Sequence, residues 1–265
     1  MNKNQSDAYA GGCVGEISWV DLMGRSDLKL MHEVSTFHHR GSFLRTTPIE
    51  NRRYMPSTED SASWMSRDTV MVQGGILMEL LDSCDIEQLR RSPIRFKACS
   101  PLDMKGISKI FSMAFRSDPE TLLRPYPSGG RIYPIELFFL DLSSSQPEPL
   151  HYLHNRHAFE RLSSECSDWE SALLGPQHPW GEPVAALIYV LNLPKSLVKY
   201  RYRGYRLALI EAGCMMQQGS TAVVEVGLRD RITNAFSDNE LAACLGLNPA
   251  CFLPIAVQII GKPGD

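Results

Sequence analysis

Among the seven cysteines of this 265-residue chain, Cys13, Cys84, Cys99, Cys166, Cys214, Cys244 and Cys251, there is no C-x-x-C pair. The zinc cages built on such pairs are therefore excluded. Several of the cysteines sit inside apolar runs, where a free thiol behaves as a small hydrophobe, so the chain reads as a reduced, cytoplasmic protein. No run approaches the roughly eighteen uninterrupted apolar residues of a membrane helix. The start, M-N-K-N-Q-S-D-A-Y-A-G-G, lacks the apolar centre of a signal peptide. Neither a dinucleotide G-x-G-x-x-G between strand and helix nor a Walker sequence occurs, which removes the two commonest phosphate-binding loops. The net charge of -3 is too small and of the wrong sign for a general nucleic-acid binder. Internal repeats and low-complexity tracts are also lacking. His32, His38 and His39 have no carboxylate or cysteine at ligand spacing, so no metal is expected.

What is present is an ordinary soluble composition, 43% hydrophobic and 22% charged, enough for one principal domain with an N-terminal appendage. Residues 17–23 and 28–37 have the apolar spacing of short elements, 57–71 form a polar loop or linker, and a helix is placed around 75–82. Ser100 and Asp103 fit a capping box with Pro101 in the first turn, which predicts a helix over 101–116. Residues 135–142 and 184–191 are apolar enough for central strands. A turn at 143–149, a short strand at 151–153 and the start of a helix at 157–162 lie between them. A long helix over 202–226, a short helix opened by Ser237 and Glu240, and a last strand at 254–260 complete the chain.

Three stretches carry chemistry. The run V-K-Y-R-Y-R-G-Y-R at 198–206 packs Lys199, Arg201, Arg203 and Arg206 among Tyr200, Tyr202 and Tyr205, then leads into an almost wholly apolar helical run interrupted mainly by Glu211, Gln217 and Gln218. Crowded cations favour a neutral Lys199 and an ionised Tyr200, the states of a general base, and the residues alone do not choose between the two. Pro127-Ser128-Gly129-Gly130 offers open backbone N–H groups and a hydroxyl, suited to a planar or anionic ligand as well as to a plain turn. Arg90, Arg91, Ser92 and Arg95 gather guanidiniums and a hydroxyl that match a phosphate monoester, or form a solvated helix end.

Taken in order, Y-P-S-G-G-R-I-Y-P-I-E-L-F, H-Y-L-H-N-R-H-A-F-E-R-L and K-Y-R-Y-R-G-Y-R-L-A-L-I-E-A-G resemble the McbC/SagB-type azoline dehydrogenases, a branch of the FMN-dependent nitroreductase-like proteins. The resemblance covers roughly residues 88–262, and 32–43 more loosely. It implies an α+β fold, with a mostly antiparallel sheet flanked by helices and a long central helix, in an intertwined homodimer. It implies a flavin-binding domain over 86–265 behind an N-terminal extension, 1–85, that makes subunit or peptide contacts. The implied activity is FMN-dependent oxidation of thiazoline and oxazoline rings in a ribosomally made precursor peptide to thiazoles and oxazoles. The implied partners are an ATP-dependent cyclodehydratase and a leader-peptide-binding subunit in a larger cytoplasmic hetero-oligomer, with no nucleic acid and no membrane.

Carried over by motif, Arg90, Arg91 and Ser92 hold the flavin, Pro127, Ser128 and Gly129 line its ring, and Lys199 and Tyr200 are the catalytic pair. Ile94 stands where many relatives of this fold carry a basic residue, which transfers weight to Arg95. The tail lacks the further basic residues often found there, leaving Lys262 as a phosphate ligand. Competing readings are a stand-alone nicotinamide-dependent flavin nitroreductase, in which the pair at 199 and 200 has no purpose, and a flavin-free peptide-binding scaffold.

Overall fold

The computed structural model describes residues 90–264, apart from 163, 165, 167 and 174–179. The expectations for 17–23, 28–37, 57–71 and 75–82, for the three early histidines and for the 1–85 extension lie outside the described residues.

The described strands form one sheet in the order β1 (Phe96–Lys97), β7 (Phe252–Pro263), β5 (Ala185–Asn192), β2 (Ile135–Asp141), β3 (Leu150–Leu153), β4 (Ala158–Arg161), with β6 (Arg229–Thr233) also paired to β7. Every strand pair is antiparallel. The apolar run of β5 lies between β2 and β7, and its residues from Ala185 to Leu191 are buried on both faces. Alternation sorts these residues to two sides. Leu187, Tyr189 and Leu191 of β5 join Ile135, Leu137 and Phe139 of β2 beneath α1 (Met104–Ala114) and α4 (Tyr202–Val224). Ile188 and Val190 join Phe138, Leu140, Val257 and Ile259 beneath α2 (Trp169–Leu173) and α5 (Asp238–Cys244). The result is the expected α+β arrangement, a mostly antiparallel sheet between helical layers.

Several local expectations are corrected. The cap of α1 is Asp103 and not Ser100: Asp103 Oδ1 accepts the Gly106 N–H at 2.7 Å, which starts the helix after Pro101. Residues 158–161 are a strand instead of a helix start, because the chain reverses at 155–157, with His157 at φ 48°, and lays β4 along β3. Ser237 does cap α5 by position, but its side chain makes no cap hydrogen bond. Cys166 and Cys244 form a disulfide, against the reading of free thiols, because the segment before α2 packs against α5 and brings their Cα atoms to 4.7 Å.

The stretch at 198–219 is also divided. Helix α3 (Leu193–Tyr200) ends at Tyr200, Arg201 takes a left-handed φ of 47°, and α4 starts at Tyr202. The two helices cross so closely that a Cβ at Gly204 would lie 1.8 Å from the Ser196 carbonyl oxygen. Only glycine permits that approach. Helix α4 has 23 residues and so spans about 34 Å. It is not buried all round: Leu209 and Ile210 are exposed in this chain. Its far half is tied to the sheet by a buried network. Tyr189 donates to Gln258 Oε1 at 2.5 Å, and Gln258 Nε2 and Ser220 Oγ donate to Asp230 Oδ2 at 2.9 and 2.8 Å.

The start of α3 is held by Glu136 of β2. Its carboxylate accepts from Asn192 Nδ2 at 3.3 Å, Lys195 Nζ at 3.4 Å and His151 Nε2 at 3.4 Å, while Asn192 Oδ1 caps α3 at Lys195 N–H. Burial pushes the Glu136 carboxyl up, but the His151 bond and the Lys195 charge outweigh it and hold it at about 2. His151 is pulled down by burial, yet its bonds to Glu136 and Glu160 leave it above its usual value. The two later histidines of the H-Y-L-H-N-R-H motif make bonds within the fold. His154 is buried and donates Nδ1–H to the Phe115 carbonyl at 2.8 Å. His157 meets Tyr152 Oη at 2.7 Å.

Glu136→Gln should destabilise the fold by about 1–3 kcal/mol at pH 5–6.5, measured by urea unfolding. The carboxylate contribution is present above the unfolded value near 4.5 and is lost as pH falls toward 2, whereas the His151 contribution is lost as pH rises above 6.5. The gap between wild type and variant should therefore narrow at both pH 3 and pH 8. Gly204→Ala should cost about 3 kcal/mol, at the upper end for overpacking because backbone itself must move, and should lower the thermal midpoint in circular dichroism.

Candidate active site

The loop before β2 is built around Arg124. Its guanidinium donates to Tyr126 Oη at 3.1 Å and to Ser117 Oγ at 3.3 Å, and lies 4.3 Å from the centroid of the Tyr133 ring. Burial pushes the Tyr126 phenol well above its usual range, an effect that the Arg124 charge offsets only in part. Beyond Tyr126, Gly129–Arg131 make a single 3-10 turn. Gly130, Arg131 and Tyr133 all have left-handed φ, at 66°, 60° and 50°. Two of these are not glycine and carry a conformational cost. The bend is secured by the Tyr133 N–H, which donates to Ser128 Oγ at 2.9 Å, and by the Arg124 N–H, which donates to Tyr133 Oη at 3.2 Å.

The end of α3 meets this loop. A Cβ at Gly130 would lie 2.6 Å from Tyr200 Oη and 3.0 Å from Lys199 Nζ. Lys199 is exposed, Tyr200 is half-buried, and the ammonium stands 5.5 Å from the tyrosine ring centroid. The proposed catalytic pair and the Pro127-Ser128-Gly129 platform are thus brought together, with Leu207 of α4 against Gly129. Arg201, Arg203 and Arg206 are exposed. Water screens their mutual repulsion, so the crowding anticipated at this run is relieved without a bound anion.

Beneath the loop lies a residue that the sequence marks only as a polar interruption and gives no role. Glu211 of α4 is only 2% exposed and lines a small cavity with Gly129, Ser196, Tyr200 and Ala208. Burial raises its carboxyl to about 7, against smaller opposing effects of the Ser128 hydroxyl, Arg124 and Lys195. Ser128 comes close enough to favour the charged form, yet neither carboxylate oxygen makes a hydrogen bond of full geometry. The signal available in the sequence was a lone carboxylate in an apolar helix.

The phosphate candidates are distributed differently. Arg90 and Arg91 are exposed and belong to a separate unit, Arg40–Arg91, while Ser92, also exposed, opens the stretch that continues into the sheet. Arg95 precedes β1 and is tied to the tail by the Gly264 N–H, which donates to its carbonyl at 2.9 Å. Lys262 of β7 stands directly opposite Lys97 of β1. Like charges so placed repel, which makes Lys97 a cation that sequence reasoning missed. Among the described residues no group of three His, Cys, Asp or Glu side chains is placed to hold a metal ion.

No protein-family model matches the chain. The microcin B17-processing protein McbC of Escherichia coli is 30% identical over 264 residues, covering 94% of this chain and 97% of that protein. The protein MJ1384 of Methanocaldococcus jannaschii, named as a candidate nitroreductase, is 26% identical over 64% of this chain and 89% of its own length. Among solved structures, a chain of the E. coli microcin synthetase McbBCD complex with truncated pro-MccB17 bound superposes with a TM-score of 0.79 at 28% identity. That match covers 95% of this chain and 97% of the other. A candidate nitroreductase from Ralstonia eutropha shares the fold, with a TM-score of 0.55 at 19% identity over 67% of this chain and 80% of the other. With the E. coli protein matched along nearly its whole length, this chain belongs to the family of the microcin B17-processing protein McbC, on a nitroreductase-like fold.

Proposed function

We propose that this chain is the FMN-dependent dehydrogenase of a cytoplasmic peptide-heterocycle synthetase, oxidising thiazoline or oxazoline rings of a precursor peptide to thiazoles or oxazoles. The observation that carries the reading is the meeting of Lys199 and Tyr200 with Gly130 on the Pro127–Gly130 loop. Family membership adds to it, as does the likeness to a synthetase subunit solved with truncated pro-MccB17 bound.

The residues fit a flavin. A Cβ at Gly129 or Gly130 would press on Leu207, Tyr200 and Lys199, so only bare backbone can lie against these side chains, and the loop is bent to present it, with Gly130 exposed. Pro127, Ser128 and Gly129 would line the ring. Within the unit that carries the sheet, Ser92 and Arg95 would hold the phosphate, with Lys262 and Lys97 as the cationic pair on neighbouring strands. When bound, FMN supplies an acceptor for the hydride that leaves the ring methylene.

The chain's own work is positioning and proton removal. Lys199, placed against Gly130 of the loop, is the group that takes the proton from the ring carbon that was the alpha carbon of the cyclised residue. Tyr200, half-buried beside it, holds the amine or relays the proton. Loss of this proton and of a hydride from the adjacent carbon leaves the aromatic ring, so two electrons and two hydrogens are accounted for. Proximity and a positioned base supply the acceleration.

The exposed Leu209 and Ile210 on α4 are the face on which we place a second copy of the chain, in a homodimer inside a hetero-oligomer with a cyclodehydratase and a leader-binding subunit. The 1–85 extension is where we place subunit or peptide contacts. Among the described residues no helix is long and apolar enough to cross a membrane.

The purified chain should be yellow and release FMN on denaturation. With its synthetase partners and precursor peptide, Lys199→Ala should retain the flavin but slow the loss of two hydrogens per ring by about 10²–10⁴-fold, read by mass spectrometry. A colourless protein, rapid bleaching of bound flavin by NADPH with nitro-compound turnover, or full aromatisation by Lys199→Ala would each defeat the reading.

A further inference from the structure

Glu211 is an expensive residue to keep where it is. A leucine or glutamine would fill the same place on α4 without a buried, poorly satisfied carboxylate. It sits where α3, α4 and the Pro127–Gly130 loop converge, on a cavity with room for about one water molecule that Tyr200 and Gly129 also line. We infer that Glu211 is a positioning residue of the dehydrogenation site: acting through Ser128, it sets the height at which Gly129 and Gly130 face Lys199 and Tyr200. This rests on reading the loop as a flavin platform and the pair as catalytic.

The linkage follows from donor and acceptor counting. Ser128 Oγ already accepts the Tyr133 N–H at 2.9 Å, so its own proton is free to turn toward an acceptor. Glu211 is the carboxyl that faces it. As a carboxylate it can only accept, and it draws the Ser128 hydroxyl, and the loop with it, toward α4. Once protonated it offers a competing O–H, and that pull weakens. Gly130 lies two residues beyond Ser128, against Tyr200 Oη and Lys199 Nζ, so a shift of the loop changes the spacing at the pair.

The groups around Glu211 are known from each packed element. Arg124 and Tyr126 approach from the loop, Glu136 from β2, and Lys195 and Tyr200 from α3. Burial dominates among these influences and places the change of state at about 7. The loop is accordingly drawn tighter as pH rises through neutrality. Fold stability should run the opposite way. A carboxyl whose folded value is raised stabilises fully below about 4.5, loses that contribution as pH rises to about 7, and is flat beyond. Opposite signs separate a positioning role from a purely structural one.

The test is FMN affinity of the full-length chain, stripped of flavin, followed by flavin fluorescence between pH 5.5 and 8.5, with thermal unfolding in parallel. Wild type should bind FMN more tightly at high pH by about tenfold, with an inflection near 7. Because the FMN phosphate titrates in the same range, the decisive comparison is with Glu211→Gln. That variant accepts from Ser128 at every pH and should lack the Glu211 inflection, while its stability at pH 8 exceeds that of wild type. Glu211→Leu should bind about tenfold more weakly than Glu211→Gln at every pH. Identical pH profiles for wild type and Glu211→Gln, or FMN binding unchanged in both variants while only the melting temperature moves, would overturn the inference and leave the flavin reading intact. No FMN binding by wild type at any pH would overturn both.

Discussion

The backbone crossing at Gly204, where α3 and α4 touch with no side chain between them, governs the geometry of the candidate site. With the carbonyl of Ser196 against the start of α4, the last turn of α3 has a single position relative to the longer helix. Each helix is then fixed elsewhere. Asn192 and Glu136 secure the beginning of α3 on the sheet, and Gln258, Asp230, Ser220 and Tyr189 secure the far half of α4. Lys199 and Tyr200 lie between two anchored ends and reach the Pro127–Gly130 loop without a long flexible connection.

The two carboxylates nearest this frame show how environment divides one chemistry into two. Glu136 and Glu211 are both withdrawn from water, and burial pushes both upward. On β2 the neighbours are His151, Lys195 and Asn192, and Glu136 falls to about 2. On α4 the neighbours are Gly129, Leu207 and Ala208, full partners are missing, and Glu211 rises to about 7. One is an anion that ties helix to sheet, while the other is pushed toward its neutral form by burial.

Much of this was legible from residue order. The strands at 135–141 and 185–192 are largely apolar runs, and the long helix declares itself by length. The meeting of Lys199 and Tyr200 with the Pro127–Gly130 loop followed only from the motif resemblance, because no local rule joins positions some seventy residues apart. The break at Arg201 had no compositional mark: a left-handed arginine is set by tertiary packing. Residues 158–161 were misread because the reversal at 155–157 lacks the Asn-Gly or Asp-Gly signature of a tight hairpin. Ser100 and Asp103 both suit a cap, and only the hydrogen bond to Gly106 decides between them. The Cys166–Cys244 bond spans 78 residues without a spacing rule.

The three left-handed residues of the loop, Gly130, Arg131 and Tyr133, bear on the thermodynamics of ligand capture. Their conformational cost is met when the chain folds, by the Tyr133-to-Ser128 bond and the Arg124 stack. A flat ligand of the kind proposed would therefore meet, at Gly129 and Gly130, a surface that is already ordered. Little of its contact energy is diverted into freezing backbone, and affinity is set by the contacts themselves.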